Sequence, residues 1–239
     1  MTIFALGDWK TNGEMIHRAV VPMGYLRREW RTLDPTWGLG TWWTDWRPED
    51  IVGSDLDATK SPTGEAVDAC ELPHDDRSFM AVAVDGPFKL NGTADIPIDS
   101  RYGVHEYASP QSRHGLIMAM MEEAHRVLAP GGIMLVKCQA QACSGRAWWQ
   151  PRLFADPAER LGLTHEDQFE YPSWRAQPLR ATCVVCGTKL MQRTDGRWGS
   201  LSRATPVTYD CPDGDPHQPG PPEQDHAARN YSTLLVLRK

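Results

Sequence analysis

Within the first 85 residues, four short apolar runs each end in an aspartate, and this repetition constrains the fold more than any other feature. Thr32-Leu33 precedes Asp34, Ile51-Val52-Gly53-Ser54 precedes Asp55, Ala66-Val67 precedes Asp68, and the run 80–84 precedes Asp85. Such runs suit strands of a parallel sheet, and polar residues at their carboxyl ends suit function along that edge. A fifth run, 133–137, follows a helical segment. There Leu116, Ile117, Met120, Met121, Ala124, Val127 and Leu128 recur at three- and four-residue intervals until Ala129-Pro130-Gly131-Gly132 stops them. Residues 12–30 read as a helix capped by Asn12 and interrupted by Pro22, and 151–162 as another. Residues 232–237 read as a leucine-rich strand, and Trp148-Trp149 as core. Between the second and third runs, Pro62 and Gly64 break the chain, so a loop or single turn is expected there instead of a crossover helix.

The chain has 239 residues, 41% of them hydrophobic, which is enough for one large α/β domain with an insertion. Its net charge of -6 excludes a generally polyanion-binding surface, so any nucleic-acid contact has to come from a local patch. No stretch of about 18 apolar residues marks a membrane span. The segment from Met1 to Asp8 lacks the basic flank and apolar core of a signal peptide. A cytoplasmic location is expected. Six cysteines in a chain this long do not suggest a secreted disulfide scaffold.

Asp34-Pro35-Thr36-Trp37-Gly38-Leu39-Gly40 follows the first run. Two glycines one residue apart let backbone pass close to a ligand without a Cβ clash. Asp55 falls about 20 residues further on, where an acid can hydrogen-bond two ribose hydroxyls. Asp68 could accept from an adenine amino group. Each acid could also simply cap a turn.

Order and spacing together resemble the class I S-adenosylmethionine-dependent methyltransferases. Residues 33–40 resemble the family's first motif in its DPxxGxG form, residues 52–57 its acidic second motif, and residues 67–73 its third. Residues 126–132 resemble the turn before its fifth strand. The resemblance implies a Rossmann-like α/β sheet, mostly parallel with an antiparallel last strand, and S-adenosylmethionine as cofactor. It places Asp34, Gly38 and Gly40 under the methionine part of the cofactor, Asp55 at the ribose, and Asp68 and Ala69 at the adenine. Pro35, Thr36, Leu56 and Asp85 are the remaining implied cofactor contacts.

Asp85-Gly86-Pro87-Phe88 is similar to the (D/N/S)PP(Y/F/W) motif of amino-methyltransferases acting on adenine N6 or cytosine N4. An exocyclic amine conjugated to a ring is a poor nucleophile. A carboxylate and a backbone carbonyl accepting its hydrogens direct its lone pair to the methyl group, while an aromatic ring stacks on the base. Asp85, Pro87 and Phe88 are thus the catalytic candidates, with Asp85 as main acceptor, Pro87 shaping the turn and Phe88 stacking. An internal base has to be flipped out to reach them. Gly86 departs from the family's proline and loosens the turn. DNA is the expected partner, with a protein partner for recognition left open. A small-molecule or protein substrate, or an inactive binding protein keeping the fold, are the alternatives. Arg101, Tyr102, His105 and Tyr107 on a long loop, and Lys137 and Gln139 after the fifth run, are candidate substrate contacts.

Cys183-Val184-Val185-Cys186-Gly187 is a zinc-knuckle type of turn. With Cys211 and His217 it supplies four sulfur and nitrogen ligands for a structural zinc, His226 competing for the last place. Between residues 175 and 203, six basic residues face one acid, which suggests nucleic-acid contact, a solvated ribbon being the alternative. The expected organisation is a methyltransferase core over 1–174, an inserted zinc module over 175–228, and the core's last strand over 229–239.

Overall fold

The computed structural model describes residues 3–90, 109–143, 146–172, 179–193, 195–201, 207–221 and 231–239. The chain forms two compact units, one comprising Met1–Ser173 with Tyr231–Lys239 and the other Trp174–Asn230.

The first unit is built on a seven-stranded sheet. In chain order its strands are β1 (Ile3–Leu6), β2 (Thr32–Asp34), β3 (Ile51–Gly53), β4 (Phe79–Val84), β5 (Leu128–Gln139), β8 (Thr164–Pro172) and β12 (Tyr231–Arg238). In space they lie β1-β8-β12-β5-β4-β2-β3. β12 runs antiparallel to both its neighbours, and every other pairing is parallel. This is a Rossmann-like, mostly parallel sheet with one antiparallel strand, extended at one edge by β1. The chain leaves β2 toward β3 and returns on its other side as β4. The β2–β4 boundary is therefore a topological switch point, where a doubly wound sheet opens a crevice at its carboxyl edge.

Two apolar layers sandwich the sheet. On one face Val82, Val84, Met134 and Val136 meet Ile117, Met121 and Ala124 of α2 (Pro110–Val127) and Phe154 and Ala158 of α3 (Gln150–Arg160). On the other, Ala81, Ala83, Ile133 and Leu135 meet Met15, Ile16, Val20, Trp42 and Trp43. This double burial explains why β4 and β5 read as continuous apolar runs. A short hairpin of β6 (Gln141–Cys143) and β7 (Arg146–Trp148) follows β5.

Several expectations need correction. The first helix is not 12–30: α1 is Asn12–Met15, continued by a π-helical turn over Ile16–Val20, and the chain then turns through residues 21–24, which include Pro22 and Gly24, the latter at φ 80°. Its cap is Thr11, whose hydroxyl accepts from Glu14 N at 3.1 Å. Asn12 Oδ1 instead accepts from Lys137 Nζ at 2.6 Å and Tyr171 OH at 2.7 Å. The third strand is reduced to one parallel bridge, Asp55 to Ala66, because Pro62, Gly64 and Asp68 leave only two apolar residues to pair. Trp149 is 65% exposed, not core.

The second unit carries a three-stranded antiparallel sheet of β9 (Arg180–Thr182), β10 (Lys189–Gln192) and β11 (Trp198–Ser200). Its small core gathers Leu190, Cys183 and Cys211, with Cys186 and Trp198 packed against them. Among the described residues, no helix is long and apolar enough to cross a membrane.

Candidate functional site

Parallel pairing of β2 with β3 and β4 brings Asp34, Asp55 and Asp85 to one edge at the switch point. Thr36 ties two of them together. Its N–H and hydroxyl donate to Asp34 Oδ1 at 3.1 and 3.3 Å, and its hydroxyl accepts from Asp85 N at 2.8 Å. Asp55 reaches across to the glycine loop, accepting from Gly38 N at 2.8 Å and from Asp57 N at 2.9 Å. Gly38 and Gly40 sit at φ 56° and 65°, the left-handed region that glycine tolerates best. Trp37 lies over Gly53, where a Cβ would come within 2.3 Å of its indole ring.

The adjacent indoles of Trp42 and Trp43, in a short 3-10 turn, serve different acids. Trp42 Nε1 donates to Asp85 Oδ2 at 2.9 Å, and Trp43 Nε1 to Asp34 Oδ2 at 2.8 Å. Asp34 is enclosed. Burial pushes its carboxyl up to about 7, against the hydrogen bonds from Trp43 and Thr36 that favour the ionised form. Asp85 differs: its Oδ1 is buried and, among the described residues, has no hydrogen-bond partner, and the same holds for Ser54 Oγ. Buried polar atoms in folded chains are nearly always paired, so orphans beyond the ends of β3 and β4, on the same carboxyl edge of the sheet, mark a place that fits a polar ligand.

The remaining implied contacts line the same edge. Val67 N donates to Asp55 O at 2.9 Å, which holds the third segment beside β3. Asp68 is exposed and its Oδ1 accepts from Cys70 N at 2.8 Å, while Ala69 and Pro35 are buried. Leu39 and Leu56 are 78% and 62% exposed, an apolar flank that would suit the faces of a nucleoside ring.

At the tip of β4, Phe88 N donates to Gly86 O at 2.7 Å, closing a γ-turn around Pro87. A Cβ on Gly86 would lie 2.8 Å from Ile117 Cγ1 and 3.2 Å from Met120 Sδ. The glycine therefore does more than loosen the turn: it lets α2 pack directly on the backbone. The Phe88 ring is buried in the core facing α2 and α3, with Lys137 Nζ 5.8 Å from its centroid, so in this conformation it is covered. Lys137 is itself buried among Asn12, Tyr171 and Phe88. Gln139 N is bonded to Gln150. Arg101, Tyr102, His105 and Tyr107 lie outside the described residues.

In the second unit, the ligand atoms of Cys183, Cys186, Cys211 and His217 all lie within 4.8 Å of one another. Cys183 Sγ to Cys211 Sγ is 3.7 Å, and His217 Nδ1 is 3.5 Å from Cys186 Sγ and 3.4 Å from Cys211 Sγ. Tetrahedral zinc with Zn–S near 2.3 Å and Zn–N near 2.0–2.1 Å requires separations of about 3.8 and 3.6 Å, so the set fits that ion. Cys183 is in a bridge and Cys186 in the turn after it, Cys211 and His217 each follow one partner of the bridge between Asp210 and Pro216, and none of the cysteines is in a disulfide. Burial opposes ionisation of Cys183, but backbone N–H groups of Cys186, Val185 and Gln218, with His217, outweigh it and draw the thiol down to about 6. Burial, with the neighbouring Cys186 and Cys183, pushes Cys211 up to about 12. His226 lies outside the described residues.

The basic character of this unit is weaker than the 175–203 window suggests. Over 174–230 seven basic residues stand against six acids. Arg197 is paired with Asp195 at 2.8 Å and lies over the Tyr209 ring, and Arg193 donates to Ser200 O at 2.9 Å. Arg180 and Lys189 are exposed, and Arg175 and Arg203 lie outside the described residues.

No family model matches the chain, and no curated protein does. Among solved structures it is similar to a candidate methyltransferase from Bacillus halodurans, at 16% identity over 93% of this chain and 97% of that one, with a TM-score of 0.48. The YcgJ protein of Bacillus subtilis follows at 11% identity, 93% and 99% coverage and a TM-score of 0.44. The [4+2]-cyclase SpnF is 17% identical over 66% of this chain, which spans 58% of the cyclase's length, with a TM-score of 0.41. At these values the likeness adds nothing to the strand order, on which the fold stands.

Proposed function

We propose that the chain is an S-adenosylmethionine-dependent methyltransferase that acts on an exocyclic amine of a nucleic-acid base, adenine N6 or cytosine N4 in DNA. The observation that carries this reading is Asp85: one carboxylate oxygen is pinned by Trp42 while the other is buried without a partner. An amine donating one hydrogen to Oδ1 and the other to the Gly86 carbonyl has its lone pair left for the incoming methyl group. Gly86 O already accepts from Phe88 N but keeps a second lone pair. The cofactor, when bound, supplies an electrophilic methyl on sulfur. Asp55, Gly38 and the glycine loop hold its sugar and backbone-facing parts. Asp85 orients the amine, stabilises the nitrogen as it becomes cationic, and takes on Oδ1 the proton that the nitrogen then sheds. Neither Cys70 nor Cys138 lies in the tetrapeptide, and a covalent base adduct is not needed.

The second unit binds one structural zinc through Cys183, Cys186, Cys211 and His217, and this metal stabilises a segment with little apolar core of its own. Its exposed Arg180 and Lys189 contribute to holding DNA. The nearly balanced charge of that unit favours a second reading, a small-molecule amine as substrate.

The experiment is transfer of a deuterated methyl group from S-adenosylmethionine to duplex DNA, single-stranded DNA, RNA and free nucleosides, with product bases read by mass spectrometry. N6-methyladenine or N4-methylcytosine that disappears in Asp85→Ala supports the proposal. Binding of cofactor with no labelled nucleic acid transfers weight to the small-molecule reading. Absence of cofactor binding by calorimetry removes both.

A further inference from the structure

Behind the tetrapeptide lies a line of buried polar groups that the proposed chemistry does not use. Gln150, at the start of α3, has no exposed surface. Two backbone groups fix its orientation. Gln139 N–H donates to its Oε1 at 2.9 Å, and its Nε2 donates to the Phe88 carbonyl at 2.7 Å. The other Nε2 hydrogen faces His114 Nε2 at 3.2 Å. An amide nitrogen only donates, so His114 Nε2 has to accept, and the proton of the neutral ring sits on Nδ1. A second amide clamps the same segment: Gln141 Nε2 donates to Phe88 O at 2.7 Å while its Oε1 accepts from Leu90 N at 3.0 Å.

We infer that Gln150 and His114 are positioning residues for the amine-holding turn, neutral His114 being the acceptor that keeps Gln150 aimed at the Phe88 carbonyl. The inference rests on the reading of Asp85 to Phe88 given above. Because Phe88 N closes on Gly86 O, a shift at Phe88 moves the second amine acceptor. Protonating His114 sets N–H against N–H, which turns the Gln150 amide away and leaves the carbonyl with Gln141 as its side-chain donor.

The ring is faced by Gln150 and Phe154 of α3 and by Trp148 of β7, with centroids 5.7 Å away for Phe154 and 5.2 Å for Trp148. The charged side chains on the elements around it include Arg113, whose guanidinium donates to the Lys89 carbonyl, and Arg146, which lies 4.7 Å over the Trp148 ring. Burial lowers the His114 pKa, and no described carboxylate opposes it. A depressed folded pKa means that the stabilisation is present above the unfolded value of about 6.5 and is lost as pH falls through the folded one. The turn therefore has both amide donors at neutral pH and only Gln141 in acid.

Two measurements on the full chain test this without methyl transfer, so failure of the substrate reading stays separate. Long-range proton–nitrogen NMR of histidine-labelled protein, with His114 assigned by its loss in His114→Gln, should show a neutral ring protonated on Nδ1 near neutral pH. Hydrogen exchange of the peptide over 85–90, corrected for intrinsic rates, should lose about tenfold protection in acid, the worth of one hydrogen bond to the turn. His114→Gln, which keeps a side-chain acceptor, should retain protection at every pH, and His114→Leu should lose it at every pH. A ring protonated on Nε2, or full protection in His114→Leu, overturns the inference. If His114→Leu does not fold, the tautomer decides alone.

Discussion

Placing alanine at Gly86 tests whether the departure from the family's proline is a defect or a packing requirement. The new Cβ would stand 2.8 Å from Ile117 Cγ1, a branch atom held in the core, and 3.2 Å from Met120 Sδ, which can swing aside. Optimal carbon–carbon contact is about 3.5–4.0 Å, so roughly 0.7 Å has to be absorbed by α2 or by an off-rotamer Ile117. Overpacking of this kind costs about 1–3 kcal/mol. Gly86 does not have positive φ, so alanine recovers about 0.4–1 kcal/mol through the unfolded chain. The net expectation is a loss of about 1–2 kcal/mol, read as a fall of about 0.5–1 M in the urea midpoint with the slope unchanged. Ile117→Ala removes the obstructing atom at its own cost of about 2–5 kcal/mol. In that background Gly86→Ala should be nearly neutral, giving a coupling of about 1–2 kcal/mol. Gly86→Pro carries the same Cβ and should be destabilised too. An unchanged or raised midpoint in Gly86→Ala, or an unaltered cost once Ile117 is truncated, refutes the argument that α2 demands glycine here.

Other consequences are equally direct. Trp42→Phe keeps the ring but deletes the bond to Asp85, so methyl transfer should fall about tenfold or more, the value of a hydrogen bond to a charged group, while cofactor affinity measured by calorimetry stays constant. Asp34 has a folded pKa raised by burial to about 7, so its contribution is complete below the unfolded value near 3.9 and is lost as pH rises through 7. Denaturation between these limits should show the stability of the native chain relative to Asp34→Asn declining as pH rises. Native protein should contain one zinc per chain by elemental analysis, and Cys211→Ser or Cys183→Ser should lose it. Full zinc retention in both variants would remove that site.

The acids at the tips of β2, β3 and β4 were legible because a strand buried on both faces leaves a polar residue nowhere to go but its end. The Cys-x-x-Cys turn was legible for a similar reason, since few other roles demand two thiols at that spacing in a segment with so little apolar core. β8 was not, because its sequence, Thr164 to Pro172, is mostly polar. Asp167 is buried through a tertiary partner that no local pattern announces, accepting from Tyr25 OH, and Gln168 is buried with its amide donating to Glu170 two residues on. The bridge at Ala66 failed as a strand since two apolar residues cannot offset the fixing of a whole ladder. The tryptophan pair was the deepest omission. Successive residues of a 3-10 turn point about 120° apart, so neighbouring indoles reach different walls. Trp42 thereby serves the acid proposed to hold the amine, and Trp43 the enclosed acid beneath the glycine loop. One residue inserted after Gly40 would rotate this assignment, leaving Asp34 buried without its indole donor and Asp85 free to turn. The length of the loop between Gly40 and Trp43 is thus as much a part of the site as the carboxylates.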